Sequence, residues 1–126
     1  MLINNLDHLV LTVSNIDESC SFYKRVLGLE IITFGDKRKA LLIGQQKINL
    51  HQVGQELSPC AGKPTAGSAD LCFITSKPIN EISSHLEECS VSIELGPVPR
   101  TGVLGAMTSL YFRDPDTNLI EVSYYH

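Results

Sequence analysis

Three polar side chains interrupt otherwise apolar strand-like runs. His8 lies within Leu6-Asp7-His8-Leu9-Val10-Leu11-Thr12-Val13, Asp70 opens Asp70-Leu71-Cys72-Phe73-Ile74-Thr75, and Glu121 stands between Ile120 and Val122. Strand side chains alternate between faces, so Glu121 points away from both neighbours. An ionised carboxylate there is costly to bury unless it is paired or bound to a cation. An imidazole combined with carboxylate oxygens suits a divalent metal, and the donor set alone does not choose among Zn, Ni, Mn, Fe and Co. A fourth ligand could come from Ile48-Asn49-Leu50-His51, where Asn49 and His51 share a face. His51 is the better ligand chemically and Asn49 the better match to Glu121 in register, so both stay open.

Each residue also has an ordinary role available. A strand histidine can be a hydrogen-bonded structural group, Glu121 could pair with an arginine, and Asp70 could cap a turn. Arg100 sits in Gly96-Pro97-Val98-Pro99-Arg100-Thr101-Gly102, expected to be a loop, where an exposed arginine can clamp a substrate carboxylate or phosphate. Gly102 and Gly105 would let that segment move over a cleft. Arg113, at the start of Arg113-Asp114-Pro115-Asp116, reads as structural, and the tyrosines Tyr111, Tyr124 and Tyr125 read as core or interface. His85 falls on a helix surface, and His126, at the C-terminus, is expected to be disordered.

The elements that must position these groups form a repeat. Residues 6–13 read as a strand, followed by a helix through Ile16, Tyr23 and Leu27 that Ser14, Asn15 or Asp17 could cap and Gly28 could stop. Strands follow at 29–34, 38–43 and 47–53. After a Pro- and Gly-rich linker, 54–67, the order recurs. It runs as a strand at 69–75, a helix from Pro78 through Leu86, and strands at 91–95, 106–113 and 119–125. The pattern predicts an α+β protein of two βαβββ modules, about 1–53 and 68–126. Either module alone would leave one sheet face uncovered, so the two sheets are expected to form one curved, open barrel with a central cleft. In that repeat His8 matches Asp70, and Asn49 matches Glu121.

Composition narrows the function classes. The chain has 126 residues, 10 Lys and Arg against 14 Asp and Glu, and a net charge of −4, which argues against nucleic acid as the main partner. No apolar run approaches the roughly 20 residues of a membrane span, and the N-terminus lacks a signal-peptide pattern, so a cytoplasmic protein is expected. Four cysteines form no C-x-x-C pair and are expected to be free thiols, with Cys72 a small buried hydrophobe.

Leu6-Asp7-His8-Leu9-Val10, Phe22-Tyr23 through Leu27-Gly28-Leu29, and Phe112-Arg113-Asp114-Pro115-Asp116 followed by Leu119-Ile120-Glu121 together resemble the vicinal oxygen chelate superfamily. That superfamily contains glyoxalase I, bleomycin and fosfomycin resistance proteins and ring-cleaving dioxygenases. The resemblance spans essentially the whole chain as one such domain. Arg38-Lys39-Ala40-Leu41, Ile48-Asn49-Leu50-His51 and the Gly96–Gly102 segment look more narrowly like glyoxalase domain-containing proteins. It implies paired βαβββ modules, a divalent metal and a homodimer. By position His8 and Glu121 match the family's first and last metal ligands. Asp70 stands where a histidine is usual, and Asn49 where glyoxalase I carries a glutamate. The expectation is a metal-dependent lyase or isomerase of lactoylglutathione lyase type. Its ligands would be His8, His51 (or Asn49), Asp70 and Glu121, with Glu121 and Asp70 as proton-transfer groups. Arg100 would contact a small substrate, such as a glutathione adduct. The alternatives are an extradiol dioxygenase and a non-catalytic drug-binding resistance protein.

Overall fold

Leu9, Leu11 and Val13 alternate with His8, Val10 and Thr12 along β1 (His8–Val13), so one face of the strand is wholly aliphatic. In the computed structural model, which describes all 126 residues, that alternation propagates through the first of two units, Met1–Gly67. Here α1 (Ile16–Leu27), β2 (Glu30–Phe34), β3 (Arg38–Ile43) and β4 (Gln46–Gln52) follow β1. The sheet order is β1-β4-β3-β2, with β1 parallel to β4 and the other pairs antiparallel. Register aligns Leu9 with Ile48, Leu11 with Leu50 and Leu41 with Ile48, which gathers the aliphatic positions on one face. Gln52 shares that face, and its Oε1 accepts a hydrogen bond from the Ile16 N–H at the start of α1 (3.2 Å), so this is the face that takes the helix. Tyr23 and Val26 of α1 and Leu11, Val13, Leu41, Ile48 and Leu50 of the sheet are all buried.

Local chemistry sets the helix ends. The Asn15 side chain accepts from the Glu18 N–H (2.9 Å), Asp17 and Glu18 complement the positive N-terminus, and Lys24 and Arg25 the negative C-terminus. Gly28 adopts φ 68°, a left-handed conformation that suits glycine, and its N–H bonds Lys24 O at 3.0 Å.

The second unit, Ser68–His126, repeats the plan. It contains β5 (Asp70–Ile74), α2 (Ile79–Glu88), β6 (Leu95–Gly102), β7 (Gly105–Arg113) and β8 (Leu119–Tyr125), in sheet order β5-β8-β7-β6. Leu86 of α2, Leu110 and Phe112 of β7 and Ile120 of β8 are fully buried, with Val122 nearly so. No helix is long and apolar enough to cross a membrane.

The structure departs from the sequence reading mainly between 91 and 102. The strand expected at 91–95 begins only at Leu95, and the segment expected to be a loop is β6, paired with β7 through a bulge between Leu95 and Val98. β6 is an edge strand with a neighbour on one side only, so Pro97 and Pro99 can lack N–H donors without breaking a ladder. Gly102 is closely packed: a side chain there would collide with the Tyr125 hydroxyl and the Met107 sulfur. His126 is held rather than disordered, its N–H on Ala106 O (3.2 Å) and its Nε2 at 2.7 Å from Thr108 Oγ1.

The turn after β7 is a hydrogen-bonded knot. The buried Asp114 carboxylate accepts from the N–H groups of Asp116 and Asn118 (both 2.9 Å) and from Asn118 Nδ2 (2.8 Å). Asn118 Oδ1 in turn accepts from the Ala69 N–H at 2.8 Å, which fixes the start of β5 and hence Asp70. Arg113 forms a bidentate pair with Glu94 (3.0 Å on each arm) and donates to Thr117 O at 3.1 Å, a structural role as expected. The hydrogen bonds from Arg113 hold the Glu94 carboxyl below its ordinary range.

Two outcomes follow for stability. Asn118→Leu leaves buried partners of Asp114 and Ala69 unmatched and should cost about 1–3 kcal/mol, read as a lowered urea midpoint. The lowered Glu94 value means the Arg113 pair stabilises fully above the ordinary carboxylate range and is lost as pH falls through the depressed folded value. The melting-temperature gap between wild type and Glu94→Gln should therefore shrink from pH 7 to pH 3, and also in 1 M salt.

Candidate functional site

With α2 on one face of the second sheet, the opposite face carries Asp70, Cys72 and Ile74 of β5 and Leu119, Glu121, Ser123 and Tyr125 of β8. Met107, Ser109 and Tyr111 of β7 and Arg100 of β6 complete it. Register sets Glu121 between Cys72 on one side and Tyr111 on the other. Ser123 Oγ donates to Glu121 Oε2 at 3.1 Å. A hydroxyl has one proton, so the two remaining contacts of Ser123 Oγ, the Ser109 hydroxyl at 2.6 Å and the Cys72 thiol at 3.3 Å, donate toward it. Ser109 and Ser123 are fully buried, and the chain of donors ends on the carboxylate.

On the other flank, Arg100 Nε donates to Tyr111 Oη at 2.8 Å, the guanidinium lies 5.3 Å from the ring centroid, and Nη1 donates to Pro99 O (2.9 Å). Burial pushes the Tyr111 phenol up. Arg100's hydrogen bond opposes this, while the charge of Glu121 and its hydrogen bond with the phenol add to it. Arg100, Tyr111 and Glu121 thus form one connected row across β6, β7 and β8. Burial also pushes the Cys72 thiol up, Ser123's hydrogen bond opposes, and the charges of Glu121 and Asp70 reinforce the rise. Cys72 is not the buried hydrophobe expected from sequence; it is exposed on this face. Asp70 lies two residues out of register with Glu121, a diagonal of roughly 8 Å across adjacent strands.

In the first unit, His8, Val10, Thr12, Asn49 and His51 share the face opposite α1. His8 is exposed, and its Nδ1 lies 2.8 Å from Asp7 Oδ2. A carboxylate only accepts, so Nδ1 carries a proton. Val10 pairs with Asn49 as Cys72 pairs with Glu121, so Asn49 is the counterpart of Glu121, and His51, opposite Thr12, is the counterpart of Ser123. His51 stands four residues along from the level of His8, roughly 13 Å, too far for one ion to touch both rings directly. Neither unit gathers three His, Cys, Asp or Glu side chains at coordinating separation. Within the second unit, the carboxylate oxygens of Asp70 and Glu121 are donors of the kind that suit a divalent metal.

Residues 5–122 match the family model described as the Glyoxalase/Bleomycin resistance protein/Dioxygenase superfamily. The chain belongs to this superfamily. Within it, the virulence protein STM3117 of Salmonella typhimurium is 56% identical over 99% of this chain and 87% of its own length. Its crystal structure superposes with a TM-score of 0.97 over the whole of both chains. The glyoxalase domain-containing protein RDO1 of Mycosarcoma maydis is 49% identical over 98% of this chain and 69% of its own length. At 20% identity, the structure of a lactoylglutathione lyase from Agrobacterium tumefaciens shares the superfamily fold, with a TM-score of 0.74 over 98% of this chain and 96% of that one.

Sequence reasoning missed Ser109, Ser123, Tyr111 and Cys72 as neighbours of Glu121. Ser123 carried a signal, since it stands two residues beyond Glu121 on one strand. Tyr111, Ser109 and Cys72 join through strand register, which no local pattern encodes.

The network is open to a chemical probe. Glu121→Gln removes a charge that raises the Cys72 thiol, so alkylation of Cys72 by iodoacetamide at pH 7.5 should speed up roughly two- to tenfold.

Proposed function

We propose that the chain is a metal-dependent lyase or isomerase of glyoxalase type, with Glu121 as the proton-transfer group. The observation that carries this reading is the setting of Glu121, a carboxylate that accepts a hydrogen bond from Ser123 beside Tyr111 on the face of the sheet not covered by its helix. The Ser123 bond orients it, which positions a base for a proton on a bound substrate.

The substrate class is a small carbonyl adduct with neighbouring oxygens, such as the adduct of methylglyoxal with glutathione. A bound divalent metal would supply Lewis-acid stabilisation of the negative charge that develops on those oxygens. Asp70 and Glu121 of the second unit are the residues proposed to hold it. Glu121 takes the proton from the carbon bearing oxygen and sulfur, exchanges it with solvent and delivers a proton to the adjacent carbon, while the hydroxyl proton passes to the former ketone oxygen, a redox-neutral isomerisation with no added oxidant or reductant. Asp70 is proposed as the second carboxylate in that transfer. Arg100 spends Nε on Tyr111 and Nη1 on Pro99 O, and its Nη2 edge is the part proposed to meet an anionic tail of the substrate.

The test is turnover of the methylglyoxal–glutathione adduct by protein supplied in turn with Zn, Ni, Mn, Fe(II) and Co. Glu121→Gln should lower kcat by about 10²–10⁴-fold. Arg100→Ala should act chiefly by raising KM, since it removes binding rather than chemistry. No turnover with any metal, together with unchanged metal content in Glu121→Gln, would overturn both the reaction and the ligand assignment.

A further inference from the structure

The last turn of α2 carries an imidazole and a thiol outside the Glu121 network. Cys89 Sγ lies 3.5 Å from His85 Nε2. The two residues are four apart, and the Cys89 N–H bonds His85 O at 2.9 Å. Helical geometry therefore runs through to Cys89 and stacks the two side chains on one face. The helix end is fixed. Leu86, next to His85, is fully buried, and its carbonyl accepts the Val91 N–H at 2.9 Å beyond the left-handed Ser90 (φ 59°). His85 is exposed and Cys89 half-buried, so the pair is open to solvent.

The separation of the two atoms has a chemical meaning. A tetrahedral zinc ion takes sulfur at about 2.3 Å and imidazole nitrogen at about 2.0–2.1 Å, which sets the two ligand atoms about 3.5–3.6 Å apart. The proton shared by His85 and Cys89 occupies the place such an ion would take. The surrounding charge favours a cation. α1 ends with Lys24 and Arg25 in its last turn, which balance its negative C-terminus. α2 ends on Glu87 and Glu88, with His85 the one basic residue in its last turn. No third His, Cys, Asp or Glu stands at coordinating separation, so water fills the remaining positions. We infer that His85 and Cys89 form a two-residue chelate, on the C-terminal turn of α2, for a thiophilic divalent cation of the zinc class. Binding displaces the thiol proton to solvent and leaves the metal-bound sulfur as thiolate. The imidazole–thiolate set selects zinc or cobalt over magnesium and calcium, which prefer oxygen. It shares no residue with Asp70 and Glu121, and it stands or falls without the proposed reaction.

The test is alkylation of Cys89 by iodoacetamide in the reduced protein, followed by mass spectrometry of the Cys89 peptide. Cys60, exposed in the 54–67 segment, is the internal comparison. A few equivalents of zinc should slow alkylation of Cys89 at least about tenfold, and magnesium should leave it unchanged. His85→Gln, at an exposed position, should remove most of that protection, and Cys60 should show none. Cobalt(II) gives a second readout, a thiolate-to-cobalt charge-transfer band that Cys89→Ser removes. Equal protection of Cys60 and Cys89, protection that survives His85→Gln, or a cobalt band unchanged in Cys89→Ser would each overturn the inference. So would a band that forms only with dimerisation, since two copies would then share the ion. Both readouts report the Cys89 sulfur itself, so metal bound at Glu121 bears on neither.

Discussion

One helix per four-stranded sheet is the constraint on which the rest of this structure depends. A sheet has two faces, and a single helix covers one. Along β1, β4 and β3 the face toward α1 takes Leu11, Val13, Ile48, Leu50 and Leu41. Along β7 and β8 of the second unit the equivalent positions are Leu110, Phe112, Ile120 and Val122, which are buried. Burying such side chains is worth about 1.5–3 kcal/mol each, so these positions tolerate little besides apolar residues of similar size. The alternate positions are released from that demand. His8, Asn49, His51, Asp70, Cys72, Ser109, Tyr111, Glu121 and Ser123 all occupy such positions.

The two units use that freedom differently. In the second, the polar residues satisfy one another: hydroxyls donate toward Glu121, and Arg100 donates to Tyr111 beside it. A connected polar network of this kind holds its members in fixed orientations. In the first, at the counterpart positions of Glu121 and Ser123, Asn49 and His51 are buried with atoms left unmatched. The repeat therefore conserves the backbone plan while dividing the chemistry between a self-satisfied carboxylate and an unsatisfied amide–imidazole pair.

Much of this was legible in the sequence, for definite reasons. Richness in Leu and Val showed β1, Gly28 ended α1 where the structure has it, and of the cap candidates Ser14, Asn15 and Asp17 the structure uses Asn15. The match of His8 with Asp70 and of Asn49 with Glu121 came from the repeat alone, and the strand registers of the two units pair these positions in the same way. β6 was misread because Pro97 and Pro99 mark a loop in most settings, and only its place at a sheet edge makes them acceptable in a strand. Arg100 accordingly belongs to an edge strand and not to a mobile loop. The partners of Glu121 were hidden because register is set by strand pairing over long sequence separations, such as 49 residues between Cys72 and Glu121.

The central claim is that Glu121 is the group that moves a substrate proton. The most direct measurement is isotope exchange in D₂O, with metal-supplied protein and the methylglyoxal–glutathione adduct, following by NMR the carbon-bound hydrogen that the carboxylate would abstract. The account predicts that wild type replaces this hydrogen in the recovered adduct or product, and that Glu121→Gln does not. Equal exchange by Glu121→Gln and wild type would contradict it.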